Sequence, residues 1–377
     1  MGSKCCKPNN PLKEIEYKPN IEEEFKYETF DDILNDPSIK LKSKPKINFQ
    51  EKNINLKEII QNKLLELSEN EEIKIEEIEI EEFNEIIEKN NITLNILNEY
   101  NSELNNIKEE VEEEEEIYQV SPLKFTNKNN ENEYYYGSFN NKGVFSGLGT
   151  LISKENNIYK GNFKNGIFNG KGIFIYNNGN YYYGNWMNGK CNGEGKLIIK
   201  DILEYKGNFK DNKREGSGIE KYNDKSYYNG EFLNNEKNGY GKFTYSNGNY
   251  YEGQFINSLF NGEGELNWID GRNYKGNFKD GNIEGKGELK YNNGDIYKGD
   301  FVNNRKNGSG IFIWNNGNKL YGNFFNNEPH GNGVFFHENE KYIVKYRFGK
   351  IISCKMAFLE DNTVETSKFV ETNTNRN

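Results

Sequence analysis

Few residues in this chain have the type and spacing needed for covalent or metal chemistry. The two histidines, His330 and His337, have no cysteine or carboxylate cluster around them at metal-ligand spacing. The four cysteines, Cys5, Cys6, Cys191 and Cys354, make no disulfide framework. The vicinal pair has no second cysteine pair or histidine nearby to complete a zinc site. A lone G-x-G can cradle phosphate, but the copies here never open a helix after a strand. Walker A, kinase, nucleophile-elbow and H-E-x-x-H signatures are absent. The reading is a non-enzyme with no metal and no cofactor. One stretch does point to chemistry, the opening MGSKCCK. Gly2, the small Ser3 and the basic Lys4 and Lys7 fit N-myristoylation, with Cys6 in the preferred Ser/Thr slot. A myristoyl chain would hold Cys5 and Cys6 at a bilayer for S-acylation. One chain alone binds marginally (~10⁴ M⁻¹), and a second makes attachment stable.

The elements that must carry such an anchor follow from composition. Apolar residues make up 34% of the 377, aromatics 14%, with 26 Tyr, 25 Phe and 38 Gly; the one alanine is Ala357. An α/β core needs Ala, Val and Leu in bulk, so short twisted strands burying aromatic rings are expected instead. Charge is split. Residues 1–120 hold 15 Lys/Arg against 31 Asp/Glu, a balance of −16, and the remainder 34 against 28, a balance of +6. The net −10 and pI near 5.2 are the wrong footprint for nucleic acid. No apolar run is long enough for a membrane-spanning helix or a secretory signal, so a cytosolic location is expected. Abundant Asn, Lys, Ile and Tyr suggest an AT-rich gene, which would make many loop asparagines compositional.

A repeat organises the back of the chain. Tyr-x-Gly-x-aromatic recurs at Gly137, Gly161, Gly184, Gly207, Gly230, Gly253, Gly276, Gly299 and Gly322. The first step is 24 residues and the others 23, and a G-x-G follows each copy. In residues 159–181, Tyr159, Gly161 and Phe163 alternate with Lys160 and Asn162. A polar loop over Lys164 to Asn169 returns the chain, and Phe174 and Tyr176 share one face of a second strand. Each period is a β-hairpin with one aromatic face. The glycines would leave room for a ring from the adjacent hairpin to cross the backbone.

This pattern resembles the MORN repeat over about residues 134–340. The resemblance implies an elongated, single-layer antiparallel sheet of nine stacked hairpins with a shallow aromatic groove. Tyr159, Phe163, Tyr182, Trp186, Tyr245, Trp268, Tyr291 and Trp314 would line that groove and receive protein partners. Leu320 in place of tyrosine and Glu220 in an apolar slot depart from the pattern and predict weaker packing there. Residues 341–359 are expected to close the sheet with a hairpin turning at Gly349-Lys350, ahead of a disordered tail, 360–377. Eighteen strands at ~4.8 Å would span roughly 86 Å, a platform shape.

Ahead of the repeats, 1–10 is the acylation segment, 11–52 a mobile tether and 53–120 an acidic helical region. Short helices are expected around Leu56–Leu64 and Ile75–Ile87. A third would carry Leu97, Tyr100, Leu104, Ile107 and Val111 in a 3-4-3-4 stripe. That acidic helix could pack on itself or dock intramolecularly on the aromatic groove. Together with what MORN resemblance implies, these features predict a lipid-anchored scaffold at a cytosolic membrane face or membrane-associated cytoskeleton. The alternative is a phospholipid-binding module in which Lys160, Lys206, Lys275 and Lys298 meet anionic headgroups.

Overall fold

The computed structural model describes residues 74–89, 91–100, 117–119, 122–126, 129–140, 143–338 and 340–357. Gly2, Cys5, Cys6, the 11–52 tether, the Leu56–Leu64 helix and the 360–377 tail lie outside them. The chain divides into two compact units. The N-terminal one runs to Asp224 and takes in Phe232–Asn235; the C-terminal one holds Lys225–Glu231 and the chain from Glu236.

The N-terminal unit starts with β1 (Lys74–Glu77), α1 (Ile80–Glu88), α2 (Asn91–Glu99), β2 (Ile117–Gln119) and β3 (Leu123–Thr126). Its hairpin strands are β4 (Asn132–Asn140), β5 (Phe145–Ile152), β6 (Ile158–Lys164), β7 (Ile167–Ile175), β8 (Tyr181–Met187), β9 (Lys190–Ile199), β10 (Leu203–Lys210) and β11 (Lys213–Tyr222). From β3 onward each pairs antiparallel with the next. The C-terminal unit is built in the same manner. Its strands are β12 (Tyr227–Leu233, whose last two residues count with the N-terminal unit), β13 (Glu236–Thr244), β14 (Tyr250–Ile256), β15 (Leu259–Asn267), β16 (Asn273–Lys279) and β17 (Asn282–Lys290). They are followed by β18 (Ile296–Val302), β19 (Arg305–Ile313), β20 (Lys319–Phe325), β21 (Glu328–His337), β22 (Glu340–Arg347) and β23 (Lys350–Ala357). The fold is mainly β and antiparallel, as the alternation requires.

Three local expectations need correction. The polar loop between paired strands is two residues, not six. Asn165 and Gly166 take φ 51° and 78°, the positive pair that lets a hairpin close with the right twist. The loop asparagines are therefore not compositional passengers. At the second turn position Asn212, Asn235, Asn304 and Asn327 also accept the main-chain N–H of Cys191, Arg214, Ile283 and Lys306 at 2.7–2.8 Å, tying each repeat to the one before. The third correction concerns Ile75, expected in a helix. It lies in β1, opposite Phe125 of β3, because isoleucine alternating with polar residues suits an edge that β3 leaves open.

The repeat glycines serve the ring of their own hairpin, not that of a neighbour. A Cβ on Gly276 would come within 2.5 Å of both the Tyr274 hydroxyl and the Gly287 Cα, and one on Gly287 within 2.3 Å of that hydroxyl. Each tyrosine thus lies flat over a cross-strand glycine pair, two residues along its own strand and one strand over. Past the pair the register slips, as from Gly161↔Gly172 to Phe163↔Phe168. Gly170, at the slip, has φ 80°, which L-residues with a Cβ rarely adopt.

Candidate interaction surfaces

Period-two alternation gives each unit two faces. The glycine face carries Tyr135, Tyr159, Tyr182, Tyr205, Tyr228, Tyr251, Tyr274 and Tyr297, all essentially fully buried. Each hydroxyl donates to the main-chain carbonyl three residues on, at 2.8–3.1 Å. Burial pushes the hydroxyls of Tyr159, Tyr182, Tyr251 and Tyr297 above the ordinary tyrosine range, so these groups are fixed donors. The aromatic two residues after each glycine meets the tyrosines edge-on. Phe278 lies 5.2 Å from Tyr274 and 4.9 Å from Tyr251, a geometry that ring quadrupoles favour.

Of the expected groove aromatics, Tyr159, Phe163, Tyr182 and Trp186 are this core and offer no surface to a partner. Tyr245, Tyr291 and Trp314 are half-buried. They form a rim with the buried Trp268, over which Arg272 lies at 4.9 Å. Tyr245 packs on Phe243 at 4.7 Å and Trp314 on Phe312 at 4.8 Å, and Tyr245, Tyr291 and Trp314, unlike Trp268, stay partly open.

One column of the glycine face escaped the sequence reading. Positions 168, 191, 214, 237, 260, 283 and 306, all 23 apart, hold Phe, Cys, Arg, Lys, Phe, Ile and Lys. Phe168 and Phe260 stack on Tyr159 and Tyr251 at 3.7 and 3.8 Å; Cys191 is a buried free thiol that burial pushes up. Three cations stand in the same layer. Arg214 lies over Tyr205 and Phe232 and pairs with Glu220, to which Tyr222 also donates. Glu220 therefore packs as the partner of Arg214, not as the weak point expected. Lys306 is 1% exposed. Its ammonium sits 3.0 Å from the Tyr291 hydroxyl and within 6.0 Å of the ring centres of Tyr291, Tyr297, Phe312 and Phe324. Desolvation lowers its pKa to about 7, against a smaller raising effect of Asp295. Cations at 23-residue multiples of a core position were the available signal.

The opposite face differs between the units. In the N-terminal one Phe83 of α1 packs on Ile152 and Ile158 and meets the Tyr136 ring at 5.7 Å. Ile96, Leu97 and Tyr100 cover Ile173, Ile175 and Tyr181, with the Tyr100 and Tyr181 hydroxyls 3.2 Å apart. The helices thus dock on the repeats, but across the sheet from the rings the sequence reading offered them. Phe83, Ile86 and Ile87 lie at i, i+3 and i+4, and that stripe meets isoleucines there, whereas the glycine face is already filled by its own tyrosines. Leu104, Ile107 and Val111 lie outside the described residues. Lys160 is on the covered side, and its half-burial lowers its pKa. In the C-terminal unit Lys298 pairs with Glu288 at 2.7 Å, and Lys275 stands between Glu265 and Glu288 in the strand register. Of the four lysines of the headgroup reading, Lys160 is covered, Lys298 is paired and Lys275 is interleaved with carboxylates. Lys206, opposite Lys196 and Ile219, is exposed, and neither it nor Lys275 has an ion pair among the described residues.

No curated protein matches the chain. Among solved structures, the TCP domain of Drosophila melanogaster SAS-4 (dCPAP), in complex with a proline-rich motif of Ana2 (dSTIL), aligns at 12% identity. It covers 53% of this chain and 84% of that one, with a TM-score of 0.20. The G-box domain of the microcephaly protein CPAP aligns at 6% identity, covering 65% and 98%, with a TM-score of 0.16. Virginiamycin B lyase from Staphylococcus aureus aligns at 10%, covering 56% and 70%, at 0.13. Likeness at these scores carries no argument about this chain. The MORN repeat model matches residues 159–181, 182–201, 205–227, 228–250, 251–271, 274–296, 297–319 and 321–339. The hairpin β4–β5, ahead of the first match, repeats the geometry, with Tyr135 over Gly137 and Gly149. Eight consecutive matches in phase with the strands make residues 159–339 an array of MORN repeats, and the chain a MORN repeat protein.

Proposed function

We propose that this protein is a non-enzymatic scaffold that is acylated at its N-terminus and displays its repeat array to protein partners at a cytosolic membrane face. MORN repeats are in general protein- or membrane-binding units. The observation that carries the scaffold reading is the rim of Tyr245, Trp268, Tyr291 and Trp314, one aromatic per repeat. With two strands per repeat, successive rings stand roughly 10 Å apart, about three residues of extended chain. An extended partner segment with apolar side chains at that spacing would meet the open parts of Tyr245, Tyr291 and Trp314 and pass over Arg272 where it covers Trp268, while the tyrosine layer beneath keeps the rim rigid. Gly2, Cys5 and Cys6 supply the anchor, as the MGSKCC sequence supports.

Affinity purification and membrane fractionation of the full chain test both halves. Gly2→Ala is expected to move the protein to the soluble fraction. Cys5→Ser with Cys6→Ser should leave weak, exchangeable attachment. Unchanged fractionation of both variants would remove the anchor. Tyr291→Ser with Trp314→Ser should lose the co-purifying partners while the membrane fraction stays the same; retention of those partners would remove the rim.

A further inference from the structure

The hairpin β22–β23 departs from the repeats in a way that packing does not require. From β6 to β21 each repeat hairpin turns on an Asn or Asp at the first positive-φ position, among them Asn165, Asn188, Asp211 and Asn303. These residues tolerate the left-handed region because their short polar side chains bond locally. At the same place the closing hairpin has Phe348, with φ 45°, followed by Gly349 at 72°. A bulky aromatic there is an outlier, and strain of this kind is kept where it serves a function. Phe348 is 53% exposed. Its ring lies 4.8 Å from His330 and 6.1 Å from Phe325, itself 45% exposed, so the tip is an aromatic cluster turned outward.

The hairpin itself is basic, with one carboxylate of the preceding strand, Glu328, beside its Gly349. Residues 340–357 hold Lys341, Lys345, Arg347, Lys350 and Lys355 against Glu340, five cations to one carboxylate, a balance of +4. Among the described residues none of the five cations has an ion-pair partner, in contrast to Lys298 and Lys286 further up the array. Ile343, Ile352 and Met356 are 45%, 55% and 47% exposed in the same hairpin.

We infer that this hairpin inserts its Phe348 tip into an anionic lipid bilayer, with Arg347, Lys350 and Lys345 held at the headgroups. A hairpin turn is convex, and a convex apolar point flanked by Arg347 and Lys350 suits a deformable phase better than the groove of a folded partner. Aromatic rings settle at the level of the headgroups, and cations beside them gain from the negative surface potential. Of the sheet lysines named above, Lys206 is a single exposed cation beside Ile219, whereas the closing hairpin gathers five cations without ion-pair partners and several exposed apolar side chains in eighteen residues. The inference names a lipid contact for the membrane-side reading above and rests on it only for location at a bilayer. It does not depend on acylation.

The test uses the full chain carrying Gly2→Ala, so that no acyl group contributes, and vesicles of phosphatidylcholine with or without phosphatidylserine. The expected result is sedimentation with the phosphatidylserine vesicles alone, weakened by salt. Phe348→Asn, which gives the tip the residue of the other turns, should keep or raise the melting temperature yet weaken binding by about tenfold or more. Lys345→Glu with Arg347→Glu should abolish it. Failure of the parent chain to prefer phosphatidylserine vesicles overturns the inference, as does full binding by Phe348→Asn. Either failure leaves the acyl anchor standing, because Gly2→Ala fractionation reads that separately.

Discussion

The two units build one face identically and the other in opposite ways. Across the N-terminal unit the row Tyr134, Ile152, Ile158, Ile175, Tyr181 and Ile198 runs strand to strand in register, and α1 and α2 lie on it. The corresponding row of the C-terminal unit reads Thr244, Tyr250, Asn267, Asn273, Lys290 and Ile296. Beside it Lys242, Glu252, Glu265, Lys275, Glu288 and Lys298 form a charge ladder. The glycine face is set by the repeat, because a tyrosine ring over two glycines leaves no freedom of side chain. The other face carries no such constraint. Where it is aliphatic it binds helices, and where it is charged it pairs its own strands and needs no cover.

The largest expected effect tests the shared face. Gly184→Val in the N-terminal unit and Gly276→Val in the C-terminal one should each cost at least about 3 kcal/mol, since their Cβ atoms would meet backbone at 2.5–2.6 Å. Gly322→Ala should stay within about 1 kcal/mol, because Leu320 replaces the tyrosine and nothing lies nearer than 3.4 Å. Equal melting shifts for Gly276→Val and Gly322→Ala would break the assignment.

Next comes the covered face. Phe83→Ala removes the fully buried side chain of α1 and should cost about 3–5 kcal/mol. Hydrogen exchange should rise in β5 and β6 of the N-terminal unit and stay unchanged in β14 to β18. Faster exchange in both units alike would refute the separation.

The column of the stacked rings gives a third effect of intermediate size. Lys306→Met should stabilise the C-terminal unit by a few kcal/mol at neutral pH, because a desolvated amine yields to an apolar side chain of similar length. Folded Lys306 titrates near 7 and the unfolded side chain near 10.5. Between those values the unfolded state binds the extra proton, so wild-type stability rises with pH. The cost is fully present below about pH 7 and is relieved towards pH 10.5, so the advantage of Lys306→Met should shrink over that window. Melting curves from pH 6 to 10 with a constant difference would contradict the buried amine. The smallest effect belongs to the ladder, where Lys298→Ala should change stability by under about 0.5 kcal/mol, its ammonium being half-exposed.

The repeat, the strand alternation and the meeting of rings with glycines on one face were legible because they recur every 23 residues. That each glycine pair serves the tyrosine of its own hairpin was not, since it depends on the cross-strand register. The slots of Arg214 and Lys306 were legible in principle, as columns of that same period. What stacking does to them was not, since the desolvation of Lys306 depends on Tyr291, Tyr297, Phe312 and Phe324 closing over it. Likewise the rim could be named from spacing, but only packing separated the partly open Tyr291 and Trp314 from the wholly buried Tyr159 and Tyr182.

By itself, then, the amino-acid order determined the hairpin, its period and the face on which rings meet glycines, since steric fit over a few residues leaves no alternative. The tertiary structure decided which face the helices cover. The apolar stripe of α1 and α2 is equally compatible with either face, and the choice fell to isoleucines some fifty to a hundred residues further along the chain. The helices bind there because on the other side each ring already has its partner.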